Sequence, residues 1–148
     1  MAVNISSPKQ TFGFLMPHLF AYGSLQLCEV FAAVTGQRGF GHPASIEGYA
    51  RYRLKNLSYP GLVAQTGAVT DGILYPALDA GVWARLDRFE DKFYRRETLK
   101  VLAQGLGMMS AEVYVVPYEE LGMIDRRPWS LEEFRQQDLY SFMRRCLG

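Results

Sequence analysis

The spacing of apolar positions along this chain alternates between about two residues and nearly four, and each change of period marks a predicted element. A short apolar run, His18 to Tyr22, reads as a strand that stops abruptly on Gly23 and Ser24. "QLCEVFAAVTG" then predicts a helix, with Leu27, Val30, Phe31 and Val34 on one face and Gly36 as its stop. The glycine-rich loop from Gly36 to Pro43 lacks the spacing and the Lys-Ser/Thr of a phosphate-binding loop. From Ala44 to Asn56, Ile46, Gly48, Ala50, Tyr52 and Leu54 alternate with Glu47, Tyr49, Arg51, Arg53 and Lys55, as in a half-buried strand. "YPGL" (Tyr59 to Leu62) predicts a type II turn. The next strand, "GAVTDGILYPAL", contains Gly72, which predicts a close approach of another group to the backbone there.

Helical period returns in "DAGVWARLDRFED", where Val82, Trp83, Leu86, Phe89 and Glu90 share one broad face. "FYRRETLKVLA" and "MSAEVYVVPY" alternate again, and the short "QGLGM" region between them predicts a hairpin. Last comes "SLEEFRQQDLYSFMRRCLG", predicted as one amphipathic helix. Ser130 and Glu133 form a capping box, and Leu131, Phe134, Leu139, Phe142 and Cys146 its buried stripe. The order β-α-β-β-α-β-β-α, with five or six strands, predicts an α+β fold. Several connections are too short for parallel crossovers, so the sheet should be mixed or largely antiparallel and curled toward a barrel. Residues 12–148 are expected to form one domain, preceded by a loose tail over residues 1–11.

Composition narrows the classes of function. Hydrophobic residues make up 49% of the 148, enough for a real core without staples. A net charge of +1 argues against a protein built around a polyanion, so no nucleic-acid partner is expected. No stretch approaches the roughly 20 apolar residues of a membrane helix, and the opening residues lack the basic-then-apolar order of a signal peptide, since Lys9 stands alone. A cytoplasmic location follows as the expectation. The Asn-x-Ser sequons at Asn4 and Asn56 then read as chance matches. Cys28 and Cys146 read as buried reduced thiols, one long-range disulfide being the alternative. The row Arg51, Arg53, Lys55 could grip an anion, although a solvated strand face is the commoner meaning of such a row.

The candidate chemistry is defined largely by exclusion. His18 and His42 are the only histidines and have no partners at metal-ligand spacing, so neither a metal nor a cofactor is expected. Ser24 lies outside a Gly-x-Ser-x-Gly elbow. One carboxylate stands out: Glu90 occupies the end of an apolar helix face, whereas Asp87 and Asp91 point elsewhere and read as solvated. Glu90 is either simply exposed at the helix end or a partly buried acid, whose pKa burial would raise toward that of a general base.

Five motifs, "FAYGSL" (Phe20 to Leu25), "YPGLV" (Tyr59 to Val63), "VTDGILYPA" (Val69 to Ala77), "LDRFED" (Leu86 to Asp91) and "YRRETLKV" (Tyr94 to Val101), occur in a telling order. Their order and spacing resemble those of the γ-glutamylcyclotransferase-like superfamily, in particular its avirulence-induced-gene-like and γ-glutamylamine cyclotransferase-like branch. The resemblance covers roughly residues 18 to 118. It implies a small, mixed, mostly antiparallel β-barrel flanked by helices, with a pocket at one barrel mouth. In similar proteins the Tyr-Gly-Ser-Leu turn, here Tyr22, Gly23, Ser24 and Leu25, holds a γ-glutamyl group through backbone N–H groups. The resemblance also implies that Glu90 is the catalytic acid/base and that Tyr94 lines the same pocket. Ser24 is expected to bind substrate and cap the following helix, not to act as a nucleophile.

The implied reaction is an intramolecular aminolysis. The substrate's α-amine attacks its own γ-carbonyl, closing 5-oxoproline and expelling an amine, so the nucleophile belongs to the substrate. A base of unperturbed pKa near ~4.3 facing an ammonium near ~7.8 is mismatched by roughly 3.5 units, about 5 kcal/mol. Burial that lifts Glu90 to about 6.5 would cut this to roughly 2 kcal/mol. Two other readings stay open at this point: a non-catalytic small-molecule-binding module on the same fold, and an anion- or RNA-binding surface on the basic row.

Overall fold

The computed structural model describes residues 16–147, with side chains as far as Arg145. The predicted tail over residues 1–11 and the Asn4 sequon lie outside the described residues. Among the described residues six strands form: β1 (Leu19–Ala21), β2 (His42–Leu54), β3 (Pro60–Tyr75), β4 (Arg95–Ala103), β5 (Gly107–Val115) and β6 (Ile124–Pro128). Four α-helices accompany them there: α1 (Cys28–Thr35), α2 (Ala80–Phe89), α3 (Leu131–Gln137) and α4 (Leu139–Leu147). β2 pairs with β3, β3 with β1, β1 with β5, β5 with β4 and β4 with β2, which closes a five-stranded barrel. β6 is added on β2. Only the β1–β5 pairing is parallel, so the expected mixed, mostly antiparallel α+β barrel is the observed fold.

Burial on both faces explains why β1 lacks polar alternation. Phe20 and Tyr22 point into the barrel with Ile46, Leu62, Leu74, Val101 and Val113. Leu19 and Ala21 face the helices, among Phe31, Val82, Trp83, Leu86, Phe134 and Phe142. Gly72 is where β1 presses closest: a Cβ there would lie 2.4 Å from the Ala21 carbonyl oxygen and 2.9 Å from the Phe20 ring. The close approach predicted at this glycine is therefore the barrel's own closure.

Several boundaries differ from the sequence expectation. Tyr59 to Leu62 is not a turn; Pro60 and Gly61 already belong to β3, paired across from Arg53 and Tyr52. Proline is tolerated there because it is the strand's first residue. The reversal comes earlier, where Asn56 takes a left-handed φ of 62°. β3 also begins well before Gly67. Its two halves pair with β2 on either side of an irregularity at Gly48, leaving residues 65–68 out of register, and that break hid the first half. The C-terminal helix is two helices, interrupted at Asp138. Ser130 caps the first by accepting the Glu133 N–H at 3.2 Å, but the Glu133 carboxylate reaches Arg53 instead of completing the box. Cys28 is exposed, against the expected buried thiol, because it opens α1 on the solvent side.

Candidate active site

At the end of β1 the chain enters a single 3₁₀ turn, Ser24–Gln26, before α1 begins. Every carbonyl of this stretch is occupied. The Tyr22 oxygen accepts from Gln26 Nε2 (2.9 Å) and Arg51 Nη1 (2.9 Å). The Gly23 and Ser24 oxygens accept from the Gln26 and Leu27 N–H groups, each at 3.0 Å. Leu25 accepts from the Tyr75 hydroxyl at 2.7 Å. The N–H groups of Gly23, Ser24 and Leu25, by contrast, have no acceptor among the described residues, as befits the start of a helical turn without a side-chain cap. Glycine at 23 answers to space: a Cβ would meet the Pro60 ring at 3.0 and 3.1 Å.

Ser24 is buried, and its hydroxyl makes no hydrogen bond with a described residue. It is not the helix cap that was expected. Gly23 precedes the 3₁₀ turn and Leu27 precedes α1, and neither position makes a side-chain cap. Ser24 lies inside the turn, with its side chain left over for whatever enters.

These residues line a cavity of about 240 Å³ together with Glu90, Tyr94, Tyr59, Arg88, Asp91, Tyr114 and Phe142. The volume is below the usual small-molecule range and suits an amino-acid-sized guest. The expected site residues Tyr22, Gly23, Ser24, Leu25, Glu90 and Tyr94 thus meet around one space. Tyr22 donates to the Tyr114 carbonyl at 2.5 Å and Tyr94 to the Pro60 carbonyl at 2.6 Å, fixing both rings. Burial, then the neighbouring Glu90 charge, raises the Tyr22 phenol well above its usual pKa. Tyr94 is raised in the same way, by burial first and then by the charges of Tyr22 and Glu90.

Glu90 ends α2, its N–H bonded to the Leu86 carbonyl at 3.0 Å, so its carboxylate stands at the negative end of the helix. It is half-buried and makes no hydrogen bond or ion pair with a described residue. Burial, then the charges of Asp91 and Asp87, raises its pKa from 4.5 to about 8. Those two aspartates are not merely solvated, as the sequence suggested. Asp87 accepts from the Tyr114 hydroxyl at 2.6 Å and from Arg96 at 3.0 Å. Asp91 lines the cavity and accepts from the Tyr59 hydroxyl. Both neighbours are engaged by donors, whereas Glu90 has none among the described residues.

Two of the three residues of the basic row are engaged within the protein. Arg51 turns away from solvent onto main-chain carbonyls, and Arg53 pairs with Glu133 at 3.3 Å. Sequence reasoning also missed Tyr59, Tyr114 and Phe142 as lining residues. Tyr59 could have been found from its place before Pro60. Phe142 had no local signal, because only the docking of α4 brings it to the cavity.

A family model described as γ-glutamyl cyclotransferase, AIG2-like, matches residues 19–131. The chain belongs to this family. Two Arabidopsis thaliana members are similar over most of their length: AIG2-like protein C is 32% identical over 127 residues, 84% of this chain and 73% of that one. Protein AIG2 C is 29% identical over 121 residues, 80% of this chain and 72% of that one. Among solved structures, one from Arabidopsis thaliana aligns with TM-score 0.67 and 27% identity, covering 86% of this chain and 78% of its own. An AIG2-like protein from Mus musculus aligns at 0.61 and 21%, covering 78% and 88%. A structure described as γ-glutamyl cyclotransferase aligns at 0.59 and 17%, covering 68% and 66%. At such identities the last two establish a shared fold.

Proposed function

We propose that this protein is a γ-glutamyl cyclotransferase-type enzyme, converting a γ-glutamyl amine or peptide to 5-oxoproline and a free amine, with Glu90 as general acid/base. The observation that carries this reading is the cavity itself. It pairs a carboxylate of raised pKa, unpartnered among the described residues, with a turn whose carbonyls are all occupied and whose N–H groups find no acceptor among those residues.

In this mechanism the N–H groups of Gly23, Ser24 and Leu25, with the Ser24 hydroxyl, hold the glutamyl end of the substrate and fold its α-amine back onto the γ-carbonyl. Glu90 accepts a proton from the α-ammonium. The nitrogen lone pair forms the new C–N bond, leaving a ring ammonium beside an oxyanion. Glu90 passes its proton to the leaving nitrogen, and the tetrahedral carbon collapses by breaking the bond to it. The ring nitrogen gives its surplus proton to Glu90, which hands it to the released amine, so Glu90 ends ionised as it began and no proton is gained or lost overall. A carboxyl at about 8 is close to the ~7.8 of an α-ammonium, so the transfer is nearly thermoneutral. At the ordinary 4.5 the same transfer would cost about 4–5 kcal/mol. The raised pKa goes further than the ~6.5 that the sequence argument required.

The test is direct. The protein is incubated with a panel of γ-glutamyl amines, isopeptides and γ-glutamyl amino acids, and 5-oxoproline and the released amine are quantified by mass spectrometry. Equimolar release of both from at least one substrate is expected. Binding of small acids without product from any substrate would instead identify a non-catalytic binding module.

A further inference from the structure

We infer that Arg51 is a positioning residue for this site: from behind, its guanidinium holds and polarises the Tyr22–Gly23 peptide, strengthening the Gly23 N–H as a donor to a substrate carboxylate. The inference rests on the reading of residues 22–25 as the substrate cradle. Arg51 leaves a strand in the middle of a basic row, yet its side chain is only 18% exposed. Nη1 donates to the carbonyls of Tyr22 (2.9 Å) and Asp71 (3.0 Å), and Nη2 donates to the Asp71 carboxylate (2.9 Å). The guanidinium lies 5.6 Å from the centre of the Trp129 ring.

The target of this grip is one peptide group. Donors on a carbonyl oxygen draw the amide nitrogen's lone pair toward it and leave the N–H more positive. The Tyr22 oxygen carries two such donors, Arg51 and Gln26, and the N–H of the same peptide is that of Gly23, which has no acceptor among the described residues. The Arg51 Nε is buried without a partner among the described residues. A buried donor left unmade costs stability, so the guanidinium keeps its bonds to the Tyr22 and Asp71 oxygens at the expense of its Nε. Its charge reaches the cavity: at the Tyr22 phenol it works against the effects of burial and Glu90. A carboxylate held on the Gly23 N–H is one peptide group away from a fixed cation, inside protein that screens weakly.

A lysine could supply the charge but not the fork that spans Tyr22 and Asp71. A carboxylate is fully charged in substrate and product alike. Losing Arg51 therefore weakens both complexes and leaves the chemical step nearly untouched.

Arg51→Lys and Arg51→Met are compared with wild type, well below each protein's melting temperature. Three readouts are used: the amide ¹⁵N and ¹H shifts of Gly23, titration with 5-oxoproline, and cyclisation kinetics on the best substrate of the panel. Affinity for 5-oxoproline should fall about tenfold in the lysine variant and roughly 30-fold in the methionine variant, with KM rising in step and kcat within about threefold. The Gly23 ¹⁵N resonance should move in the ligand-free variants. A purely structural arginine would lower the melting temperature alone; folded variants with wild-type 5-oxoproline affinity and KM overturn the inference. A fall confined to kcat overturns it as well. Should the methionine variant not fold, the lysine variant decides between the same outcomes. A wild-type protein that neither binds nor forms 5-oxoproline refutes the reading of the cradle and this inference with it. An active wild type with indifferent Arg51 variants refutes only the inference.

Discussion

Replacing Glu90 by glutamine should stabilise the fold even as it disables the site, and the stabilisation should grow with pH. The folded protein raises the Glu90 carboxyl from 4.5 to about 8, through burial and the charges of Asp91 and Asp87. Between those two values the unfolded chain has released this proton and the folded one still holds it. Stability of the wild type therefore falls as pH rises through that window and levels off above about 8. At ~1.36 kcal/mol per unit, the upper limit between pH 5 and pH 8.5 is about 4 kcal/mol. Glutamine keeps the shape and loses the titration. Urea midpoints of wild type and Glu90→Gln, measured at both pH values with the exposed Glu47→Gln as control, should diverge by more than ~1 kcal/mol in favour of Glu90→Gln at pH 8.5. A difference that is the same at both pH values would refute the claim that the cavity holds Glu90 protonated.

Two further outcomes follow from the same geometry. The pH profile of kcat/KM should be a bell centred near 8. Activity falls on the acid side because Glu90 is already protonated, and on the alkaline side because the pair has lost the proton destined for the leaving nitrogen. A substrate with a less basic α-amine should move only the alkaline limb, and a profile flat from pH 6 to 9 would contradict this assignment. Gly72→Ala should cost about 3 kcal/mol in denaturant unfolding, since its Cβ would lie 2.4 Å from the Ala21 carbonyl and β1 cannot retreat without opening the barrel. Unchanged stability there would contradict the described closure.

Much of this molecule was legible in one dimension because its signals are local. The stop at Gly23–Ser24, the αL glycine at Gly36, the hairpin between β4 and β5 and the Ser130 cap each depend on a few neighbouring residues. The elements misread are those in which tertiary pairing overrides local preference. Pro60–Gly61 carries turn residues but is drafted into β3 by pairing with β2, and the break at residues 65–68 disguises one long strand as a single short one. β6 had no pattern of its own and exists because it can pair along β2. At the site, Glu90 was visible as a carboxylate on an apolar face. Arg51 was not: alternation placed it outward with Arg53 and Lys55, and only the closed barrel brings it to the Tyr22 carbonyl.

The central claim is that Glu90 moves the proton in a cyclisation performed on a substrate cradled by residues 22–25. Its most direct test is the yield of 5-oxoproline from the best γ-glutamyl substrate with wild type and Glu90→Gln side by side, both verified as folded. The wild type should release 5-oxoproline and amine in equal amounts, and the glutamine protein should be slower by on the order of 10²–10⁴ with its fold intact. A folded Glu90→Gln protein that turns over at the wild-type rate would contradict the account.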